Sequence, residues 1–302
     1  MAIKKQNILL FTAVLGTAVF ISCGGEKKSE NSDEISVVDT TSVATSTLTE
    51  TFSQVPSPGE MFNFIKLVGG KNNKNISFLN SVDNQKKYVD IKSQALNFGI
   101  YSCDLSYCSV FEIGAEALKY FKTVKQLGDQ IGVSSVIKPE VLNRLQSNVG
   151  NKDSLAKITD DIYYSSFETL EQSKQGPTLA LVVAGGWIES LYIASNLSKY
   201  DEKSPMTQRL ADQKYTLDHL IEFLKKHDVD TNSSSVVAQF IELQNEFNKL
   251  TEIEAPETAP ATTSNESKTI LTGGKILVMT KEQNQAIVDK IKSIRNSFTL
   301  SK

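Results

Sequence analysis

Across residues 52–302 apolar side chains return mostly every three or four positions, the spacing that gathers them on one face of an α-helix. The first such run is VPSPGEMFNFIKLVGG, residues 55–70. Ser57 is placed to cap a helix, Pro58 suits its first position, and Glu60 completes a capping box. Met61, Phe64, Ile65 and Val68 then share a face, and Gly69 and Gly70 stop the helix.

The same period marks Leu155, Ile158, Ile162, Phe167 and Leu170 as one helix, and Leu210, Leu217, Ile221 and Leu224 as another. Val237, Phe240, Gln244, Phe247 and Leu250 mark a third with one polar interruption; Ile287, Ile291, Ile294 and Phe298 mark the last. Pro139 and Pro177 stand where helices begin. No alternating run of comparable length competes, so the fold class is all-α, a multi-helix bundle. KTILTGGKILVMT, residues 268–280, is the exception: two β-rich runs flank Gly273 and Gly274 and predict a small hairpin near the C-terminus. A lone hairpin is marginal in water, so it should pack on the bundle with the final helix.

Two segments are rich in small residues. ALNFGIYSCDLSYCSVFE, residues 95–112, repeats Gly99, Ser102, Ser106 and Ser109 at helical spacing, and TLALVVAGGWIESLYIASNL, residues 178–197, holds Ala180, Ala184, Gly185 and Gly186. Each interior glycine costs about 1 kcal/mol relative to alanine, so the pair needs a packing reason or a kink. The two segments are therefore expected to be close neighbours. Glu189 lies inside the second, which argues against a membrane span there.

Residues 1–22 carry a different pattern. Lys4 and Lys5 precede an apolar stretch from Ile8 to Ile21, with Ser22 before Cys23, which reads as a signal peptide too short for a spanning helix of about 20 apolar residues. The stretch resembles bacterial lipoprotein leaders, with Phe20 where such leaders prefer Leu. That resemblance implies a lipid-bearing Cys23 at the mature N-terminus. Three acyl chains at about 0.8 kcal/mol per buried CH₂ would make the anchor permanent.

Gly24–Thr51 is Ser, Thr, Glu, Asp and Lys without an aromatic residue, a tether with a mean reach of about 30 Å. Glu26, Glu30, Asp33 and Glu34 resemble acidic surface-export signals, while the neighbouring lysines fit a plain linker, leaving periplasmic and surface-facing placements open. The organisation expected is a signal peptide (1–22), lipidated cysteine and tether (23–51), helical domain (52–254), flexible linker (255–267), and hairpin with C-terminal helix (268–302).

Charge and composition narrow the function. The formal net charge is −3, and losing Lys4 and Lys5 with the leader makes it −5, so no basic field exists to hold nucleic acid. Cys103 and Cys108 are five apart, about 140° around a helix, which makes small apolar fillers of them rather than a disulfide. Asp104, Tyr107 and Glu189, with Tyr101 and Trp187 as aromatic walls, are candidates either for a pocket that recognises a cation, amine or sugar, or for polar groups that satisfy one another in the core. Only His219 and His227 exist, both expected at the surface, and the acid pairs Asp160/Asp161 and Glu112/Glu116 are too common a pattern to mark a site. No metal-ligand, nucleophile-elbow or phosphate-loop motif is present, so no metal, cofactor or catalytic residue is assigned.

VPSPGEMFNFIK, LNFGIYSCDLSY, GGWIESLYI and KIKSIRNSF together resemble a group of Bacteroidetes-type helical envelope lipoproteins without an assigned activity. The resemblance implies an outer-membrane lipoprotein of helical build. Relatives with Ala or Gly at the places of Cys103 and Cys108 imply small-residue packing there. The expectation is a membrane-anchored binding or scaffold module for an envelope protein or small ligand; the alternative is a carboxylate-based hydrolase or metal-dependent enzyme with its site near Asp104 and Glu189.

Overall fold

In the computed structural model, residues 55–68, 74–227, 234–254 and 274–300 are described, all within one compact unit, Ser42–Lys302. The leader, Cys23, the tether, Gly69 and Gly70, the linker and residues 268–273 lie outside the described residues. Among the described residues, ten α-helices and one antiparallel strand pair make the fold all-α with a single β element near the C-terminus. The helices are α1 (Pro58–Val68), α2 (Ile91–Val110), α3 (Gly114–Ile131), α4 (Pro139–Ser147), α5 (Lys152–Gln172), α6 (Gly176–Leu197), α7 (Pro205–Ala211), α8 (Gln213–Lys226), α9 (Ser234–Phe247) and α10 (Lys281–Thr299). A 3₁₀ turn covers Val82–Lys87, and the strands are β1 (Thr251–Glu254) and β2 (Lys275–Val278).

The core is built around α2 and α6. Every residue from Gln94 to Val110 is buried, as is every residue from Thr178 to Leu191. A helix buried all round must be enclosed by others, and α1, α3, α5 and α10 pack around the pair. The two axes come close because a Cβ added to Gly99 would run into the Val182 carbonyl oxygen and lie 2.7 Å from Gly186 N. A Cβ on Gly185 would likewise strike the Leu96 carbonyl. The small residues are thus where the backbones touch, as their spacing predicts. Helix α6 is long and apolar enough to cross a membrane, but 89% of its apolar window is buried inside the protein. Enclosure in a protein core accounts for that apolarity.

Helix α1 starts as expected, with Glu60 N donating to Ser57 Oγ and Ser57 N to Glu60 Oε2. Its buried face is shifted, however: Phe62 is fully buried with Met61 and Ile65, while Val68 is exposed. Lys66 Nζ donates to the Val110 carbonyl at 2.7 Å and pairs with Glu112, tying α1 to the end of α2.

Three further expectations are corrected. The helix expected through Leu210 and Leu224 is two, α7 and α8, meeting at Asp212, where Tyr215 N bonds the Asp212 carbonyl at 3.3 Å in a tightened i→i+3 turn. The strand pairing with Lys275–Val278 is Thr251–Glu254, in the register Glu252↔Leu277 and Ile253↔Ile276. The run before Gly273 that was expected to pair lies outside the described residues. All four residues of β1 are exposed, so no apolar alternation announces it. Finally, His219 is exposed as expected, but His227 caps α8 with its ring against Phe223, centroids 4.6 Å apart.

Candidate functional site

Four separate stretches of chain bring polar groups to one point inside the bundle. Helix α2 supplies Asp104 and α6 supplies Glu189, both 0% exposed, and α10 supplies Arg295, 8% exposed. The segment before the 3₁₀ turn supplies backbone groups of Phe78 and Asn80.

Arg295 Nε donates to Glu189 Oε2 at 2.8 Å and Nη2 donates to Oε1 at 3.1 Å, a two-point fork on one carboxylate. Nη2 also donates to the Phe78 carbonyl at 3.3 Å. The guanidinium carbon lies 4.6 Å from the centre of the Tyr192 ring, within cation–π range. Burial opposes the charge on Arg295, but Glu189, its hydrogen bond and Asp104 outweigh burial, and the guanidinium is held more firmly protonated than usual.

Asp104 Oδ2 accepts from Asn80 N at 3.3 Å, whereas no donor reaches Oδ1 among the described residues. Burial, then the adjacent Glu189 charge, pushes the Asp104 carboxyl well above the usual carboxylate range. Hydrogen bonding between the two carboxyls adds to the rise. Burial of an oxygen without a donor favours the neutral form of Asp104 beside the Arg295 guanidinium and its carboxylate partner. Ser102 Oγ and Ser106 Oγ, on the same helix, also lack partners among the described residues.

The tyrosines fasten the segment that covers this cluster. Tyr107 OH donates to the Asn75 carbonyl at 2.9 Å, Tyr120 OH to Asn80 at 3.1 Å, and Tyr101 OH to Ser81 at 2.7 Å. Asn80 Nδ2 reaches Tyr88 OH at 3.1 Å and Asn97 Oδ1 at 3.3 Å. Tyr88 OH and Asn97 Nδ2 in turn hold the carbonyls of Thr299 and Phe298, the end of α10. Burial raises the phenols of Tyr101, Tyr107 and Tyr120, so they stay neutral donors.

Of the sequence candidates, Asp104 and Glu189 are brought together, and Tyr101 and Tyr107 anchor the covering segment. Trp187 stands apart, its Nε1 bonded to Gln213 Oε1 at 3.0 Å and its ring edge-on to Phe240. Arg295, Asn80, Tyr88, Asn97 and Tyr192 were not anticipated. Arg295 could have been found, because it lies on the Ile287, Ile291, Ile294, Phe298 stripe, where a charge requires a buried partner.

The arrangement can hold a planar cation between a carboxylate, a carbonyl and an aromatic face. Among the described residues no three His, Cys, Asp or Glu are grouped to hold a metal ion. Elsewhere, a surface groove of about 380 Å³ runs between α6, α7 and α10, with Lys199 and Lys281 in its wall and Met206 and Leu210 among its apolar lining. No protein-family model matches the chain, and neither a curated protein nor a solved structure matches it significantly.

Proposed function

We propose that this chain is a helical binding or scaffold module of the bacterial cell envelope, held at the outer membrane by lipid on Cys23 and projected from it by the tether at residues 24–51. The leader pattern and the polar tether support the anchoring, as does the resemblance to envelope lipoproteins. The observation that carries the binding reading is the state of Glu189: both its oxygens are taken by Arg295, at 2.8 and 3.1 Å, and none of its surface is exposed. A general acid or base must touch its substrate, and a carboxylate so occupied does not. Partner recognition then falls to the outer surface, where the groove lined by Lys199 and Lys281 offers two cations beside the apolar Met206, Leu210 and Val288.

The test is fatty-acid labelling of the full chain and of Cys23→Ala in a bacterial envelope, followed by membrane fractionation. Labelled wild type in the outer-membrane fraction, with unlabelled and released Cys23→Ala, is expected. Equal, unlabelled and soluble behaviour of both overturns the anchoring.

A further inference from the structure

We propose that Glu189, Asp104, Tyr192 and the Phe78 carbonyl form a guanidinium-binding site, and that the chain fills this site itself with Arg295 of its C-terminal helix. A buried ion pair by itself is weak ground for a site, since apolar residues of the same volume often serve stability as well. Here the surroundings match one chemical group. The Glu189 carboxylate meets the fork edge to edge, at 2.8 and 3.1 Å. The Phe78 carbonyl takes a third N–H at 3.3 Å, and the Tyr192 ring lies 4.6 Å from the guanidinium carbon. Asp104, wholly buried, with an Oδ1 that no donor reaches among the described residues, adds a second carboxyl. An ammonium has neither the planar fork nor the flat face that these groups address.

The receptor side and the ligand side come from different parts of the chain. Residues 78, 104, 189 and 192 belong to the central helices and their covering segment, whereas Arg295 arrives on α10. Its helix is otherwise held by Ile287, Ile291, Ile294 and Phe298 and by the bonds from Tyr88 and Asn97 to its last carbonyls. Arg295 therefore acts as a resident ligand at high effective concentration, which keeps external guanidinium compounds out of the intact protein. The site does not depend on where in the cell the chain is held.

Chemical rescue tests this. Arg295→Ala in the full-length chain deletes the atoms that N-ethylguanidinium restores. At about 20 mM this compound should raise the melting midpoint of Arg295→Ala by roughly 3 °C, and further with the logarithm of its concentration. N-ethylurea, of the same shape but neutral, and n-butylammonium, charged but not planar, should leave it unchanged. Wild type, whose site is filled, and Glu189→Gln/Arg295→Ala, whose fork partner is gone, should not respond to N-ethylguanidinium. If Arg295→Ala is recovered only unfolded, the readout becomes return of helical circular dichroism on refolding with each compound. No response to N-ethylguanidinium, an equal response to either control compound, or the same response in the double variant overturns the proposal.

Discussion

Gly99 of α2 lies against the carbonyl of Val182 on α6 so closely that a Cβ would overlap the oxygen. The obstacle is backbone inside two helices, which cannot rotate away as a side chain could. Gly99→Ala should therefore force α2 and α6 apart and cost about 1–3 kcal/mol or more. Gly185→Ala, which meets the Leu96 carbonyl, should behave alike. Gly150→Ala is the control, because a Cβ there meets nothing within 4 Å. Urea unfolding of the three variants should show two large losses and one change near zero.

Glu189 and Arg295 should show strong coupling in the same assay. Glu189→Gln leaves a buried guanidinium without its counter-charge, and loss of about 3–5 kcal/mol is expected. Glu189→Gln/Arg295→Met removes the unpaired charge and should recover a large part of that loss. Additive losses would mean that the two groups do not act as a pair.

The outline of this fold was legible because period and caps act locally. Ser57, Pro58 and Glu60 announce α1 through bonds made within one turn, and Ile287, Ile291, Ile294 and Phe298 announce α10 through simple spacing. The meeting of α2 and α6 was legible for a similar reason, as small residues without a local use ask for a close neighbour. Arg295 stands out as a charge on an apolar stripe, but its partners were not legible, because they lie 106 and 217 positions away and pairing over such distances is set by tertiary packing. The same applies to β1, whose partner strand begins only at Lys275 and whose side chains are all exposed. Asp104 and Glu189 stand out as polar residues in apolar surroundings, whereas Trp187, expected as an aromatic wall beside them, bonds Gln213 and lies edge-on to Phe240.

Asp104 sets a pH dependence of known sign. Its folded-state pKa is raised, so its contribution to stability is fully present below the unfolded value of about 3.9 and is lost as pH climbs toward the folded value. Glu189 and Arg295 face it from α6 and α10; Tyr88, Tyr101, Cys103 and Cys108 also feel its charge, as does Tyr120 on α3. Asp104→Asn keeps an N–H for Glu189 and an oxygen for Asn80 but cannot ionise. Its stability relative to wild type should increase from pH 4 to pH 8, with a slope of at most about 1.4 kcal/mol per pH unit. A parallel pair of stability curves would show that Asp104 is ionised in the folded protein.

Asp160 adds a milder effect at the start of α1. A Cβ on Gly59 would lie 2.5 Å from its Oδ1, so the carboxyl is packed against the first turn. Burial, then Glu60 and Asp161, pushes it up to about 6. Its stabilising contribution is thus present below about 3.9 and lost as pH rises through about 6. Since the group is partly exposed, Asp160→Asn should gain only ~1 kcal/mol at pH 8, falling to nothing near pH 3.5. Thermal melts at the two pH values measure the difference.

The three cysteines of the chain turn the anchoring proposal into a count. Cys103 and Cys108 are free, wholly buried, and their thiols are pushed well above the ordinary value, chiefly by burial. Thiolate is the reactive form, so neither should react promptly with an aromatic disulfide reagent while the protein is folded. After unfolding, both become available. Cys23 is available too unless its sulfur carries a thioether-linked lipid, which unfolding does not remove. Protein purified from a bacterial envelope should therefore show two reactive thiols in denaturant. Three would mean that Cys23 is bare and that the chain is held at the envelope by something other than lipid on that residue. The Cys23→Ala variant calibrates the result, because it must show two thiols whichever holds.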